Sequence, residues 1–220
     1  MTNQEKAVLD HFHDIYYNGP GDTGHIFART YWFNTLCLKC PLDLWIYQEI
    51  IAEIAPDLII ETGTYLGGSA LFMAHMFDIL NHGEVITIDI DEDKDIDYLS
   101  RPVHPRITYV QGSSVDAVLV DSLLCYRPKE ENRLVILDSD HTKSHVLKEL
   151  EVFAPYVNIG SYIIVEDTNI NGHPVYPSFG EGPFEAVEEF LSQNKNFIID
   201  KTREKFLMTF NPCGYLKRIR

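Results

Sequence analysis

The stretch Asp57-Leu-Ile-Ile-Glu-Thr-Gly-Thr-Tyr-Leu-Gly-Gly-Ser69 constrains the fold more than any other part of the chain. Leu58, Ile59 and Ile60 form a short apolar run after Pro56, the mark of a strand buried on both faces of a parallel sheet. The run ends on a carboxylate, Glu61. Gly63, Gly67 and Gly68 follow, then an apolar helical pattern, Ala70-Leu-Phe-Met-Ala-His-Met-Phe77. Strand, acid, glycine turn and helix in that order put open backbone where a ligand can approach, beside a helix N-terminus that favours an anion. Glu61 adds a preference for a cation. A ligand carrying both an ammonium and a carboxylate meets both demands, and the methionine end of S-adenosylmethionine is one. The spacing Glu61-x-Gly63-x-x-x-Gly67 is not the G-x-G-x-x-G of dinucleotide turns, which counts against a nicotinamide-linked oxidoreductase.

The rest of the chain repeats the strand–helix alternation. Further strands are expected at Glu84–Ile90, Ile107–Gln111, Arg133–Asp138 and Ser161–Glu166. Helices are expected at 41–55, at roughly 93–100 as a short acidic helix, from 114 to about 126, at 142–157 and at 183–193. This is an α/β protein with a mostly parallel sheet and helices on both faces. Two last apolar runs, Phe197-Ile-Ile and Phe206-Leu-Met-Thr-Phe210, read as an antiparallel hairpin at one edge. Residues 4–17 read as an amphipathic helix with Val8, Phe12, Ile15 and Tyr16 on its buried face. His11 and His13 point apart on that helix and make a poor metal pair. The expected division is an N-terminal helical and aromatic segment, 1–40, and a Rossmann-like domain, 41–220.

In open α/β sheets, ligands sit outside the carboxyl ends of the strands. Here those ends are acidic or small and polar. Asp89, at the end of the second strand, is placed to accept both hydroxyls of a ribose. Ser113 and Ser114, after the third, fall near an adenine. Asp138, Asp140, Glu166 and Asp167 end the fourth and fifth strands, and bare carboxylates crowded this way repel one another. A hard divalent cation such as Mg²⁺ relieves the repulsion and acidifies a nearby hydroxyl. His141, just past the fourth strand, is the candidate base. The loop 168–182, with His173, Tyr176 and Phe179, is a candidate cover for an acceptor.

Charge excludes some partners. The 220 residues carry a net charge of −15, which argues against nucleic acid and anionic membrane surfaces. The basic residues Arg203, Lys205, Lys217, Arg218 and Arg220 read as a solvated tail. Cys37 and Cys40 form a lone C-x-x-C without a second pair, so the four cysteines are expected to be buried thiols. No apolar run is long enough to span a bilayer and no secretory region opens the chain, so a cytoplasmic protein is expected.

The motifs Ile60-Glu-Thr-Gly-Thr-Tyr-Leu-Gly-Gly-Ser-Ala70, Thr87-Ile-Asp89, Val110-Gln-Gly-Ser-Ser114, Leu137-Asp-Ser-Asp-His141 and Val165-Glu-Asp167 together resemble the metal-dependent, catechol-type O-methyltransferases. Pro41-Leu-Asp-Leu-Trp-Ile-Tyr-Gln-Glu49, Glu166-Asp-Thr-Asn-Ile-Asn-Gly-His173 and Gly182-Pro-Phe-Glu-Ala-Val-Glu-Glu-Phe190 make the chain more similar to the cephalosporin hydroxylase and rhamnosyl O-methyltransferase family. The resemblance implies a class I methyltransferase fold with a seven-stranded sheet. It implies S-adenosylmethionine as donor, Mg²⁺, homo-oligomers, and methylation of a hydroxyl on a small sugar or natural product. It makes Glu61, Gly63, Thr64, Tyr65, Ser69, Asp89, Ser113, Ser114 and Asp138 the donor contacts. Asp138, Glu166 and Asp167 become metal ligands, with Asp140 competing for the first place, and His141 and Asp138 the catalytic pair. The catechol group carries an amide where Asp167 stands and a lysine where His141 stands. An accessory, non-catalytic donor-binding subunit of a hydroxylating or methylating pair is the alternative reading.

Overall fold

The computed structural model describes residues 2–19, 24–91 and 98–220. Its main sheet has seven strands: β3 (Leu58–Thr62), β4 (Glu84–Asp89), β5 (Ile107–Gln111), β6 (Arg133–Leu137), β7 (Tyr162–Val165), β8 (Phe197–Ile199) and β9 (Tyr215–Arg218). Their spatial order is β5-β4-β3-β6-β7-β9-β8. The first five are parallel, and β9 runs antiparallel to both of its neighbours. The chain builds outward from β3 through β4 to β5, then returns to place β6 on the other side of β3. The crevice between the ends of β3 and β6 is therefore the topological switch point, where such sheets bind ligands.

Apolar content explains the centre. Every residue of β3 and β6 is buried. One face of the sheet is covered by α4 (Ala117–Leu124), α5 (Lys143–Phe153) and α6 (Pro183–Gln193), through Leu124, Leu150, Phe153 and Phe190. The other is covered by α2 (Pro41–Ile54) and α3 (Gly68–Leu80), through Tyr47, Ile50, Met73 and Phe77. Pro41 opens α2, where a missing N–H costs nothing.

The N-terminal segment holds α1 (Asn3–Asn18) and a two-stranded hairpin, β1 (Tyr31–Trp32) and β2 (Thr35–Leu36). Trp32 packs on Phe72 of α3 and donates its indole N–H to His75 Nδ1 at 2.9 Å. Gly68, at the start of α3, admits β2 closely: a Cβ there would lie 2.1 Å from the Leu36 carbonyl oxygen.

Several expectations are corrected. Val8 and Phe12 are exposed, at 66% and 52%; the packed stripe of α1 is Leu9, His13, Tyr16 and Tyr17, with His13 stacked on Phe210. Residues 206–210 are not a strand. Met208 and Phe210 are buried in a cluster with Cys40, and β9 takes the place in the sheet. Asp43 fixes that loop, accepting from Phe210 N and from the Tyr215 hydroxyl, each at 2.8 Å, and from Thr209. The basic residues are not a free tail: Lys217 and Arg218 lie in β9, and Arg203 pairs with Asp200 and Glu53. Cys37 and Cys40 are buried, but Cys125 is exposed and Cys213 partly so. Of the expected short acidic helix at 93–100, residues 93–97 lie outside the described residues, and Tyr98–Ser100 form a short 3₁₀ turn.

Candidate active site

A cleft of about 750 Å³ opens at the switch point. Its walls are the turn after β3, the ends of β4, β5 and β6, and part of the N-terminal segment. Of the donor contacts expected from sequence, Gly63, Tyr65, Asp89, Ser113, Ser114 and Asp138 line it. Thr64 and Ser69 line a narrow crevice that shares Gly63, Tyr65 and Asp138 with the cleft.

Gly63 brings the two halves of the site together. Its φ is +81°, and a Cβ would lie 1.8 Å from the carbonyl oxygen of Asp138. Only glycine lets the end of β3 lie this close to the end of β6. Gly63 N donates to Ile88 O at 2.9 Å, and Asp138 N donates to Thr62 Oγ1 at 3.2 Å. The Tyr65 turn, itself at positive φ, is pinned from outside: Tyr65 N donates to Asp89 Oδ2 at 2.9 Å and Arg101 Nε donates to Tyr65 O at 2.8 Å. Asp89 stands at the cleft wall, and nearby Asp91 is gripped by both guanidinium nitrogens of Arg101 at 3.0 and 2.7 Å.

Glu61 lies beneath this surface, with no exposed area. Thr87 Oγ1 donates to its Oε2 at 2.7 Å, and Thr87 in turn accepts from Thr64 Oγ1 at 2.7 Å, since its one proton is committed. The other oxygen, Oε1, has no hydrogen-bond partner among the described residues. Burial pushes the Glu61 carboxyl up to about 7, while the Lys39 charge and the neighbouring hydroxyls pull it down. A buried carboxylate oxygen left unmet is a demand for a donor group.

The acids after β6 and β7 divide their work. Asp138, His141 and Asp167 each offer one ligand atom, all within 4.8 Å of one another. His141 Nε2 is 3.2 Å from Asp167 Oδ2. Asp140 lines the cleft but spends Oδ1 on Thr142 N, at 2.7 Å, at the head of α5. Glu166 is buried and faces Lys39, whose Nζ lies 2.7 Å from Glu166 Oε1 and also contacts Asp138 Oδ2. Burial raises the Glu166 carboxyl well above the usual range, and the charge of Asp138 adds to the rise. Asp167 is raised by burial and by Asp138, with His141 opposing. The carboxylate oxygens are close-set and short of positive charge, which fits a hard divalent cation, and the His141 imidazole beside them is placed for proton transfer.

Lys39 has no signal in the sequence. It follows β2 in an irregular stretch, yet it is only 2% exposed and bridges the ends of β6 and β7. Asp138 and Glu166, with Glu61 nearby, raise it well above its ordinary value against the cost of burial, so it is charged. His145 was also missed. Its Nε2 lies 3.2 Å from Ser114 Oγ and 3.1 Å from Ser139 Oγ, tying α5 to the expected adenine end. The expected cover does not come from the loop 168–182, none of which lines the cleft. There His173 stacks on Phe184 with ring centres 3.8 Å apart and pairs with Glu185 at 3.0 Å. Tyr17, Phe27 and Leu38 of the N-terminal segment line the cleft instead. Burial, and the charges of Asp167 and Asp138, raise the Tyr17 phenol far above its ordinary value and keep it neutral.

The family model described as Rhamnosyl O-methyltransferase/CmcI matches residues 25–219. The chain belongs to that family. It is 38% identical over 216 residues to the rhamnosyl O-methyltransferase of Mycobacterium tuberculosis (strain ATCC 25618 / H37Rv), covering 96% of this chain and 85% of the relative. The rhamnosyl O-methyltransferase of Mycobacterium leprae (strain TN) is 36% identical, with 96% and 91% covered. Among solved structures, CmcI-D160 with Mg and SAM superposes with a TM-score of 0.64 at 23% identity, over 94% of this chain and 84% of that one. MycE from the mycinamycin pathway, in complex with Mg, SAH and mycinamycin VI, superposes with a TM-score of 0.53 at 20% identity, over 79% of this chain and 48% of that one. These structural likenesses are of fold. No helix among the described residues is long and apolar enough to cross a membrane.

Proposed function

We propose that the protein is an S-adenosylmethionine-dependent, Mg²⁺-assisted O-methyltransferase whose acceptor is a hydroxyl of a sugar or a sugar-bearing natural product. One observation carries the reading: Asp138 belongs to both the donor cleft and the acid cluster, so the two sites share a wall. Membership of a family with rhamnosyl O-methyltransferases among its close relatives supplies the reaction and the acceptor class.

Each residue then has a task. Asp89 accepts the ribose hydroxyls, as strand-end carboxylates do in such sheets. Ser113 and Ser114 flank the adenine. Glu61 answers the donor's ammonium from below through its unpartnered oxygen, and the Gly63–Tyr65 turn holds the methionine end. Asp138, Glu166 and Asp167 would hold Mg²⁺, which when bound would supply a Lewis acid that lowers the pKa of the acceptor hydroxyl. His141 takes the hydroxyl proton, and Asp167, 3.2 Å from its Nε2, stabilises the resulting imidazolium. Tyr17, Phe27 and Leu38 exclude water from above. Holding both reactants against one wall sets the oxygen in line with the methyl carbon, and such positioning is worth several orders of magnitude in rate.

Calorimetric titration with S-adenosylhomocysteine, with and without Mg²⁺, tests the donor and metal sites. Transfer of a labelled methyl group to rhamnosides tests the reaction. Donor binding together with Mg²⁺-dependent transfer is the expected result. Absence of donor binding by the folded protein overturns the reading.

A further inference from the structure

We propose that Lys39 is a resident cation that competes with the divalent ion for Asp138 and Glu166, and so sets how tightly the carboxylate site holds metal. The inference rests on the metal assignment above. It goes beyond it by giving a residue outside the strand ends control over the site's affinity.

The argument begins with charge. Glu61, Asp138, Glu166 and Asp167 converge on one small region, and Lys39 is the ammonium set among them. The side chain is almost fully buried, so water does little to screen it. A buried cation is tolerated only where it is paired, and Lys39 is paired twice. Its two partners come from different strands, Asp138 after β6 and Glu166 after β7. One ammonium therefore fixes the relative position of two carboxylates expected to bind metal.

The same pairing opposes the metal. An ion on Asp138 shares that carboxylate with Lys39 Nζ, and two positive charges across one carboxylate repel in a medium of low dielectric. Glu166, whose Oε1 lies 2.7 Å from the ammonium, is shared in the same way. Lys39 thus acts in two ways: it holds the acids together while the metal is away, and it keeps the metal exchangeable. Among the described residues, nothing comparable attaches to the other close-set group, His75, Asp78 and His104. There His75 Nδ1 accepts from Trp32 and His104 Nδ1 accepts from Arg106 N, so both Nε2 atoms of the neutral rings carry protons and have no lone pair for a metal.

The two roles of a buried lysine predict opposite signs. A lysine that only shapes the site would weaken metal binding when removed. A competing cation would tighten it. The test is titration of wild type, Lys39→Met and Lys39→Arg with Mg²⁺ alone by calorimetry, and with Mn²⁺ alone by electron paramagnetic resonance, at pH 8 without donor. K39M is expected to bind either ion about tenfold or more tightly than wild type, and K39R to match wild type. Melting temperatures give a second readout. K39M should melt lower than wild type without metal and gain more on adding Mg²⁺, because the ion replaces the missing charge. If K39M is unfolded without metal, folding restored by Mg²⁺ but not by matched ionic strength supports the inference, and failure of Mg²⁺ to restore it overturns it. Wild type that binds Mg²⁺ while a folded K39M binds it equally or more weakly overturns the inference alone. No binding of either ion by wild type or K39M overturns the metal assignment and the inference together.

Discussion

Replacing Gly63 with alanine tests the claim that one turn assembles the site. The added methyl would sit 1.8 Å from the Asp138 carbonyl oxygen, and the next nearest atoms, at 2.6 and 3.1 Å, are also backbone. No side chain can swing aside. The strand ends must part by at least about 1 Å before the contact becomes tolerable. Alanine also resists the φ of +81°, at about 1 kcal/mol. Together with the strain, G63A should lose about 2–4 kcal/mol in urea unfolding. The larger effect falls on function. Asp138 belongs to both half-sites, and a displacement of about 1 Å costs on the order of a hundredfold in rate where alignment matters. Affinity for S-adenosylhomocysteine should fall with it. The assay is urea unfolding beside calorimetric titration of one protein preparation. A G63A protein with stability within about 0.5 kcal/mol of wild type and unchanged donor affinity would refute the reasoning.

Other outcomes follow from the same geometry. Asp89→Ala should weaken S-adenosylhomocysteine binding by about tenfold or more, since two ribose hydroxyls lose a charged acceptor, and a titration reads it directly. Glu61 is raised to about 7, above an unfolded value near 4.3, so the stability it contributes when protonated is present at low pH and lost as pH rises through about 7. Donor affinity should run the other way, strengthening through the same range as the carboxylate ionises. Glu61→Gln should flatten both profiles, and a Gln variant with the wild-type pH slopes would remove Glu61 from the donor site. Asp43→Ala leaves three buried donors unmet, at Thr209, Phe210 and Tyr215, and should cost about 3 kcal/mol or more in urea unfolding.

Much of this arrangement was legible in the sequence, for identifiable reasons. β3 and β6 are short apolar runs that end on an acid or in front of one, and parallel strands buried on both faces leave that trace. Strand ends mark where ligands bind, so Asp89, Asp138 and Asp167 could be named from order alone. What failed was tertiary choice. Phe206–Phe210 is more apolar than Tyr215–Arg218, yet the former packs under α1 while the latter, half charged, enters the sheet. Local propensity does not decide between two runs when distant partners do. α1 offers two apolar stripes, and only the location of Phe210 selects the one with His13 and Tyr17. Asp138 and Asp140 look interchangeable until the α5 N-terminus claims one of them. Lys39 was invisible because a lysine in a loop usually lies in water, and its partners are far away in sequence.

The placement of β9 has a consequence for folding. In sequence it follows β8, but in the sheet it lies between β7 and β8, and among the described residues β8 pairs with no other strand. β8 therefore has nothing to pair with until residues 215–218 have docked against β7, and until then the five parallel strands end on an unpaired β7 edge. An exposed strand edge is where chains stick to one another. The sheet therefore closes late and from its interior.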